Sequence, residues 1–252
     1  MSSDTVPLQT VSRAFEVLDL LEREREAGPA KIAALMDVNR STAHDYLVSL
    51  EATGFVVREA GKYRIGYRFL QRGSRLKYRN RFFHSSDIVL GKLSEQSGEL
   101  AQLGQEESGE WVMLHEEGDI TSVQTGTYPG FRTPIHTHAA GKVLLGNLPE
   151  PRIEEILSVD ELEAVTEHTI TDPAALRDEL QQIREQGYAI DHEEQVVGIG
   201  FVACPVIEDG ELLGSVSVAC PTGRLQQDEY RENLIQNVRA AAEEISVNYR
   251  FY

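Results

Sequence analysis

Five hydrogen-bonding side chains fall within six residues near the N-terminus: Arg40, Ser41, Thr42, His44 and Asp45. Such types suit base edges and phosphates in a duplex groove. Arg40 is the best candidate for a guanine, and Asp45 suits a cytosine amine, the orientation of Arg40, or solvent. Ser41 and Thr42 serve equally well as helix caps. Three cations follow at Arg58, Lys62 and Arg64, suited to phosphates or a minor groove. The second half offers other chemistry. Asp191, Glu193 and Glu194 could act as a general acid and base. Cys204 and Cys220, with Asp191 or His136, are of zinc-ligand type, although free cysteines usually pack in cores. On a strand, His136 and His138 would share a face; otherwise His136 shapes a pocket rim and His138 starts a helix.

The elements that must position these groups are readable from periodicity. Ala14, Val17, Leu18 and Leu21 give Val11 to Glu24 one apolar face, with Ser12 as a cap candidate. Gly28-Pro29 breaks this helix. Ala30 to Met36 forms a second, with Ile32, Leu35 and Met36 inward. After Asp37-Val38-Asn39, Arg40 to Thr53 forms a third, with Ala43, Leu47 and Leu50 inward and Gly54 closing it. Two short helices, a tight connection and a longer helix make a helix-turn-helix. Strands over 55–58 and 62–66, joined at Ala60-Gly61, add a wing on which Lys62 and Arg64 share a face. Tyr67 to His84 reads as one continuous helix that joins two domains and pairs chains.

Charge divides the chain the same way. The net charge is −17, but residues 1–84 carry 14 Lys and Arg against 10 Asp and Glu, a net of +4. Residues 85–252 carry 10 against 31, a net of −21. From Arg58 to Arg81 there are nine basic residues and one acid, Glu59, as a phosphate-facing surface requires. The acidic remainder is the composition of a protein soluble in concentrated salt, so a halophilic source is expected. The absence of a signal pattern and of a long apolar run predicts a cytoplasmic protein without a membrane span.

The second half alternates helices and strands. Strands are expected over 99–103, 111–115, 120–125 and 188–193, with a hairpin from Val202 to Cys220 turning at Asp209-Gly210. Helices are expected over 86–96, 138–148 and 151–157, from Pro173 to Gly187, and over 228–248. The fold class is therefore α+β: a winged helix-turn-helix over residues 8–69, a linker helix over 70–84, and an antiparallel sheet with packed helices over 85–252.

Arg40-Ser41-Thr42-Ala43-His44-Asp45-Tyr46-Leu47-Val48-Ser49-Leu50, followed by Gly54-Phe55-Val56, resembles the recognition helix and wing of the IclR family of regulators. Val11 to Leu18 resembles that family's first helix. Asp45 departs from it, standing where the family more often has a basic residue. The resemblance continues through Gly130 to His136 with Ala140-Gly141-Lys142, through Asp191 to Glu194 with Gly198-Ile199, and through Gly214 to Val218. It implies a GAF-like effector-binding domain whose cup holds a small molecule at Gly141, Asp191, Gly198, Ile199, Phe201 and Ser217. Phe201 and Ala219 replace the small polar residue and the serine of members that bind small oxo-acids, which points away from a pyruvate-like ligand. The implied partners are a palindromic operator in double-stranded DNA, a small metabolite, and further copies of the chain in a homodimer or homotetramer. The implied targets are genes of sugar or sugar-acid catabolism, and no cofactor is implied. Two other classes are an enzyme, for which no nucleophile motif or phosphate loop is present, and an architectural DNA binder, for which the second domain would be surplus.

Overall fold

The computed structural model describes residues 7–118, 126–158 and 162–252. The chain forms two compact units, Met1–Lys77 and Tyr78–Tyr252. The expected strand over 120–125 lies outside the described residues.

The first unit contains α1 (Gln9–Glu24), α2 (Pro29–Leu35), α3 (Arg40–Ala52), β1 (Val56–Glu59), β2 (Lys62–Ile65) and α4 (Arg68–Lys77). Leu8 rather than Ser12 precedes α1, so Ser12 is an exposed residue within the helix. Proline at the first position of α2 needs no hydrogen-bonded N–H there. The core joins Val17, Leu21, Ile32, Ala43, Leu47, Val56 and Tyr63. Ala33 takes the inward position expected for Leu35, which is exposed. The hairpin turns on Ala60 and Gly61, both at positive φ, the geometry that matches strand twist. A backbone bridge from Ala27 to Tyr63 fastens the wing to the loop before α2.

The second unit begins with α5 (Arg81–Ser97), β3 (Leu100–Glu107), β4 (Glu110–Glu117), β5 (Arg132–Pro134), α6 (Ala139–Asn147) and α7 (Glu150–Leu157). It continues with α8 (Pro173–Gln186), β6 (Ala189–His192), β7 (Ile199–Glu208), β8 (Glu211–Pro221), α9 (Thr222–Leu225) and α10 (Asp228–Tyr249). The single linker helix is a correction. Helix α4 stops at Lys77, and Asn80 starts α5 afresh, its side chain accepting the Phe82 and Phe83 N–H groups at 2.9 and 3.2 Å. A capping asparagine outcompetes continuation where Phe82 and Phe83 bury themselves in the second unit.

The six strands form one antiparallel sheet in the order β5-β4-β3-β8-β7-β6. Alternation gives it two apolar faces. Ala101, Leu103, Val202, Cys204, Val216 and Val218 pack with α5 and α10. Leu100, Trp111, Met113, Phe201, Ala203 and Ala219 pack on the other face with α6 and α8. Gly141 lets α6 pack closely on the turn that leads into it, because a Cβ on it would lie 2.0 Å from the Ile135 carbonyl oxygen.

Candidate functional site

In the first unit, α3 presents its polar side outward. Ala43 and Leu47 anchor the helix, leaving Arg40, Ser41, His44 and Asp45 exposed and Thr42 half-buried. Arg40 and His44 are four apart, as are Ser41 and Asp45, so they form adjacent rows on one side of the first turns. The N-cap is Asn39. Its Oδ1 accepts the Thr42 N–H at 2.8 Å and the Ser41 hydroxyl at 2.6 Å. The Asn39 cap therefore occupies both hydroxyl-bearing candidates, through the side chain of Ser41 and the backbone of Thr42. Among the described residues neither Arg40 nor His44 has an ion-pair partner.

The wing is less free than its composition suggests. Lys62 pairs with Glu26, and Arg64 pairs with Glu59. The Arg64 hydrogen bond holds the Glu59 carboxyl below its ordinary range. Register places Lys62 and Arg64 on one face with Glu59 and Val57. Arg58 belongs to the other face, its guanidinium 5.6 Å from the Tyr63 ring centre. The three cations are thus split between two faces.

In the second unit, the sheet face under α6 gathers Asp191, Phe201 and Ser217, all fully buried, with half-buried Ile199 at the start of β7. Gly198 lies in the preceding turn, and Gly141 acts as the close-approach point of α6. Asp191 is held on the first turn of α6. Its Oδ2 accepts the Ala139 N–H at 2.9 Å, and its Oδ1 accepts the Glu194 N–H at 3.3 Å. Burial pushes its pKa up to about 7 against the opposing pull of the Ala139 N–H. The Ser217 hydroxyl has no hydrogen-bond partner among the described residues.

Several groups at this face escaped sequence reasoning. Lys142 is wholly buried, its Nζ 2.5 Å from Glu194 Oε1 and 2.9 Å from Glu179 Oε1. Burial raises the Glu194 pKa, with Lys142 opposing. Trp111 donates its indole N–H to Ser215 Oγ at 3.0 Å. The His138 ring stands edge-on to Trp111 and Phe201, at centroid distances of 4.8 and 5.7 Å. Gln102 reaches Thr127, which donates to Glu116 at 3.0 Å. His138 and Glu194 stood out in the sequence for other roles; for Lys142 and Gln102 the hints were the step from Gly141 to Lys142 and one polar residue between Ala101 and Leu103.

The zinc set does not assemble. Cys204 pairs with Val216 and Cys220 with Gly200, so the thiols sit four residues apart along the sheet, roughly 13 Å. Both face the α5–α10 side, whereas Asp191 faces α6. Burial pushes each thiol up to about 12. His136 and His138 lie in the turns and bends before α6, not on a strand, and His136 Nε2 meets the Glu163 carbonyl at 3.0 Å. Asp87, His115 and Glu117 do converge on the α5–α10 face, with His115 Nε2 2.9 Å from a Glu117 oxygen and 3.3 Å from an Asp87 oxygen. Of the acid–base set, Asp191 accepts from backbone N–H groups and Glu194 pairs with Lys142, while half-buried Glu193 lies 3.9 Å from His168 Nε2.

A helix-turn-helix beside a wing, in one chain with a two-faced antiparallel sheet with a polar floor, describes a class of regulator. Residues 10–60 match the IclR helix-turn-helix domain. Residues 78–247 match the family described as Bacterial transcriptional regulator IclR C-terminal. The chain belongs to the IclR family of transcriptional regulators. It is 29% identical to the HTH-type transcriptional regulator KdgR of Escherichia coli, over 97% of this chain and 94% of that protein. It is 31% identical to the protein named ArcR in Halobacterium salinarum, over 95% and 93%. Among solved structures, IclR of Thermotoga maritima aligns over 96% of this chain and 98% of its own, with a TM-score of 0.81 and 30% identity. An IclR homolog of Microbacterium hydrocarbonoxydans complexed with 4-hydroxybenzoate aligns over 96% and 100%, with a TM-score of 0.82 and 25% identity. Among the described residues no helix is long and apolar enough to cross a membrane.

Proposed function

We propose that this protein is a cytoplasmic, ligand-responsive transcription regulator that binds a palindromic operator as a homodimer or homotetramer and governs sugar or sugar-acid catabolic genes. The observation that carries the reading is the exposed start of α3, where Arg40 and His44 project free of ion pairs from a helix anchored by Ala43 and Leu47. Arg40, Ser41, Thr42, His44 and Asp45 meet base edges and nearby phosphates, and Arg58, Lys62 and Arg64 meet the backbone. Lys62 and Arg64 exchange Glu26 and Glu59 for phosphate when DNA arrives. Exposed Leu8, Val11 and Phe15 on and beside α1, and Tyr67, Leu70 and Leu76 on and beside α4, supply apolar surface for pairing copies.

The effector occupies the cup under α6, against Asp191, Ile199, Phe201 and Ser217, with Gly141 and Gly198 shaping its rim. The 4-hydroxybenzoate complex of the Microbacterium homolog supports a small-molecule effector. A ligand that binds better to one arrangement of the paired units shifts operator affinity by that difference. The acidic surface fits a halophilic source, as does the resemblance to the Halobacterium protein.

Selection of duplexes from a random pool by the full chain tests the reading. The expected product is an inverted repeat with half-sites about one helical turn apart, or a multiple of that. A pool that stays unenriched, with affinity tracking salt alone, contradicts it.

A further inference from the structure

The side chain of His138 is fully buried, yet neither ring nitrogen has a hydrogen-bond partner among the described residues. It precedes the first residue of α6 without capping the helix. Buried polar groups are seldom left unpaired, and both nitrogens of one imidazole more rarely still. The ring does not lack positioning. Trp111 and Phe201 hold it edge-on from two sides, and Trp111 is itself tied to Ser215. The fully buried Ser217 hydroxyl, on the same sheet face two residues from Ser215, and Glu194 Oε2, beside Lys142, are also without a hydrogen-bond partner among the described residues.

The charges around this face are already committed. Lys142 is consumed by Glu179 and Glu194. The Ala139 N–H, where an anionic ligand would gain most from the helix terminus, is occupied by Asp191. Residues 119–125 contain no Lys, Arg or His. Burial and the nearby Lys142 lower the His138 pKa to about 3, so the ring is neutral at ordinary pH, with one nitrogen donating and the other accepting.

Building on the cup reading above, we propose that His138 and Ser217 are the polar contacts for an uncharged, hydroxyl-bearing small molecule of the neutral-sugar class, and that His138 sets that specificity. A sugar hydroxyl donates to one imidazole nitrogen and a neighbouring oxygen accepts from the other, while Ser217 takes a third position. A carboxylate ligand would enter a face whose buried Lys142 is already paired and whose Ala139 N–H already holds Asp191, and would be disfavoured beside that carboxyl.

The test is calorimetry and thermal-shift measurement on the full chain with D-xylose, D-galactose and L-arabinose, and with the sodium salts of their aldonic acids and of 4-hydroxybenzoate. The expected result is binding of at least one neutral sugar and a weaker or absent response to every anion. His138→Phe, which keeps the ring between Trp111 and Phe201, is expected to lower affinity for that sugar about tenfold or more. His138→Gln, the alternative if the Phe variant misfolds by circular dichroism, should recover part of it. Preferred binding of an anion, or no binding in either series, overturns the neutral-sugar assignment. Sugar binding lost in Ser217→Ala but kept in His138→Phe overturns only the role of His138. Binding that survives both substitutions lies elsewhere and overturns the cup reading itself.

Discussion

The two units spend their charges in opposite ways. In the first, the groups suited to chemistry sit outside: Arg40 and His44 stand exposed on α3, and the core beneath them is apolar. In the second, the comparable groups are inside. Asp191, Lys142, Glu194, His138 and Ser217 are all buried under α6. A surface that must exchange water for a polyanion keeps its cations accessible. A cup that must choose one small molecule fixes its polar groups before the ligand arrives and excludes competing partners. Mutations should therefore damage affinity without stability in the first unit, and stability before affinity in the second.

The largest expected effect is that of Gly141→Ala. Its Cβ would fall 2.0 Å from the Ile135 carbonyl oxygen in the turn just before α6, so the helix and that turn must part. A loss of about 3 kcal/mol or more in the second unit is expected, read by urea unfolding. An unchanged midpoint would mean that α6 is not seated as described. Lys142→Met comes next. It leaves Glu194 and Glu179 without their cation, at a cost of about 3 kcal/mol at neutral pH. The deficit should shrink as pH falls and Glu194, whose pKa is already raised by burial, takes up a proton. A deficit independent of pH would assign the loss to packing alone.

Asp191 gives a smaller effect with a definite sign. Its folded pKa of about 7 lies above the ordinary 3.8, so between these values the folded chain holds a proton that the unfolded chain has released. Its contribution to stability therefore declines as pH rises from about 4 to 7 and levels off above. Asp191→Asn should remove that decline, seen as the difference between the two proteins' urea midpoints across the range. Parallel profiles would contradict the shift. In the first unit, Glu59→Gln should leave the melting temperature within a degree or two, while freeing Arg64. Non-specific DNA affinity should rise a few-fold, with a salt dependence steeper by about one counterion. A loss of affinity would mean that the Glu59 pairing orients Arg64 for DNA.

The contrast between the units also explains what could be read from the sequence. The recognition helix is local: Ala43 and Leu47 mark its buried side, so the exposed rows follow from helical spacing. The Asn39 cap was adjacent and readable in kind, yet the hydroxyls of Ser41 and Thr42 competed for the same role. The break after Lys77 was harder, because no proline marks it and Asn80 reads as one more polar residue in a basic stretch. In the second unit the decisive partners are remote. Lys142 meets Glu179 and Glu194, 37 and 52 residues away, and a lysine is a surface residue by default. Resemblance pointed to Asp191 and Ser217, but the isolation of His138 depends on where Trp111 and Phe201 fall in the sheet. The separation of Cys204 from Cys220 likewise depends on register, which the identical Val-Ala-Cys-Pro runs at 202–205 and 218–221 conceal.

The central claim is that the exposed start of α3 reads sequence. Fluorescence anisotropy with the full chain, on a selected inverted-repeat duplex and a scrambled one at the same salt, tests it most directly. Arg40→Ala should weaken binding to the selected duplex by about 1–3 kcal/mol while changing the scrambled one far less, with the second unit's unfolding unaltered. An equal loss on both duplexes would reduce Arg40 to a phosphate contact and contradict the account.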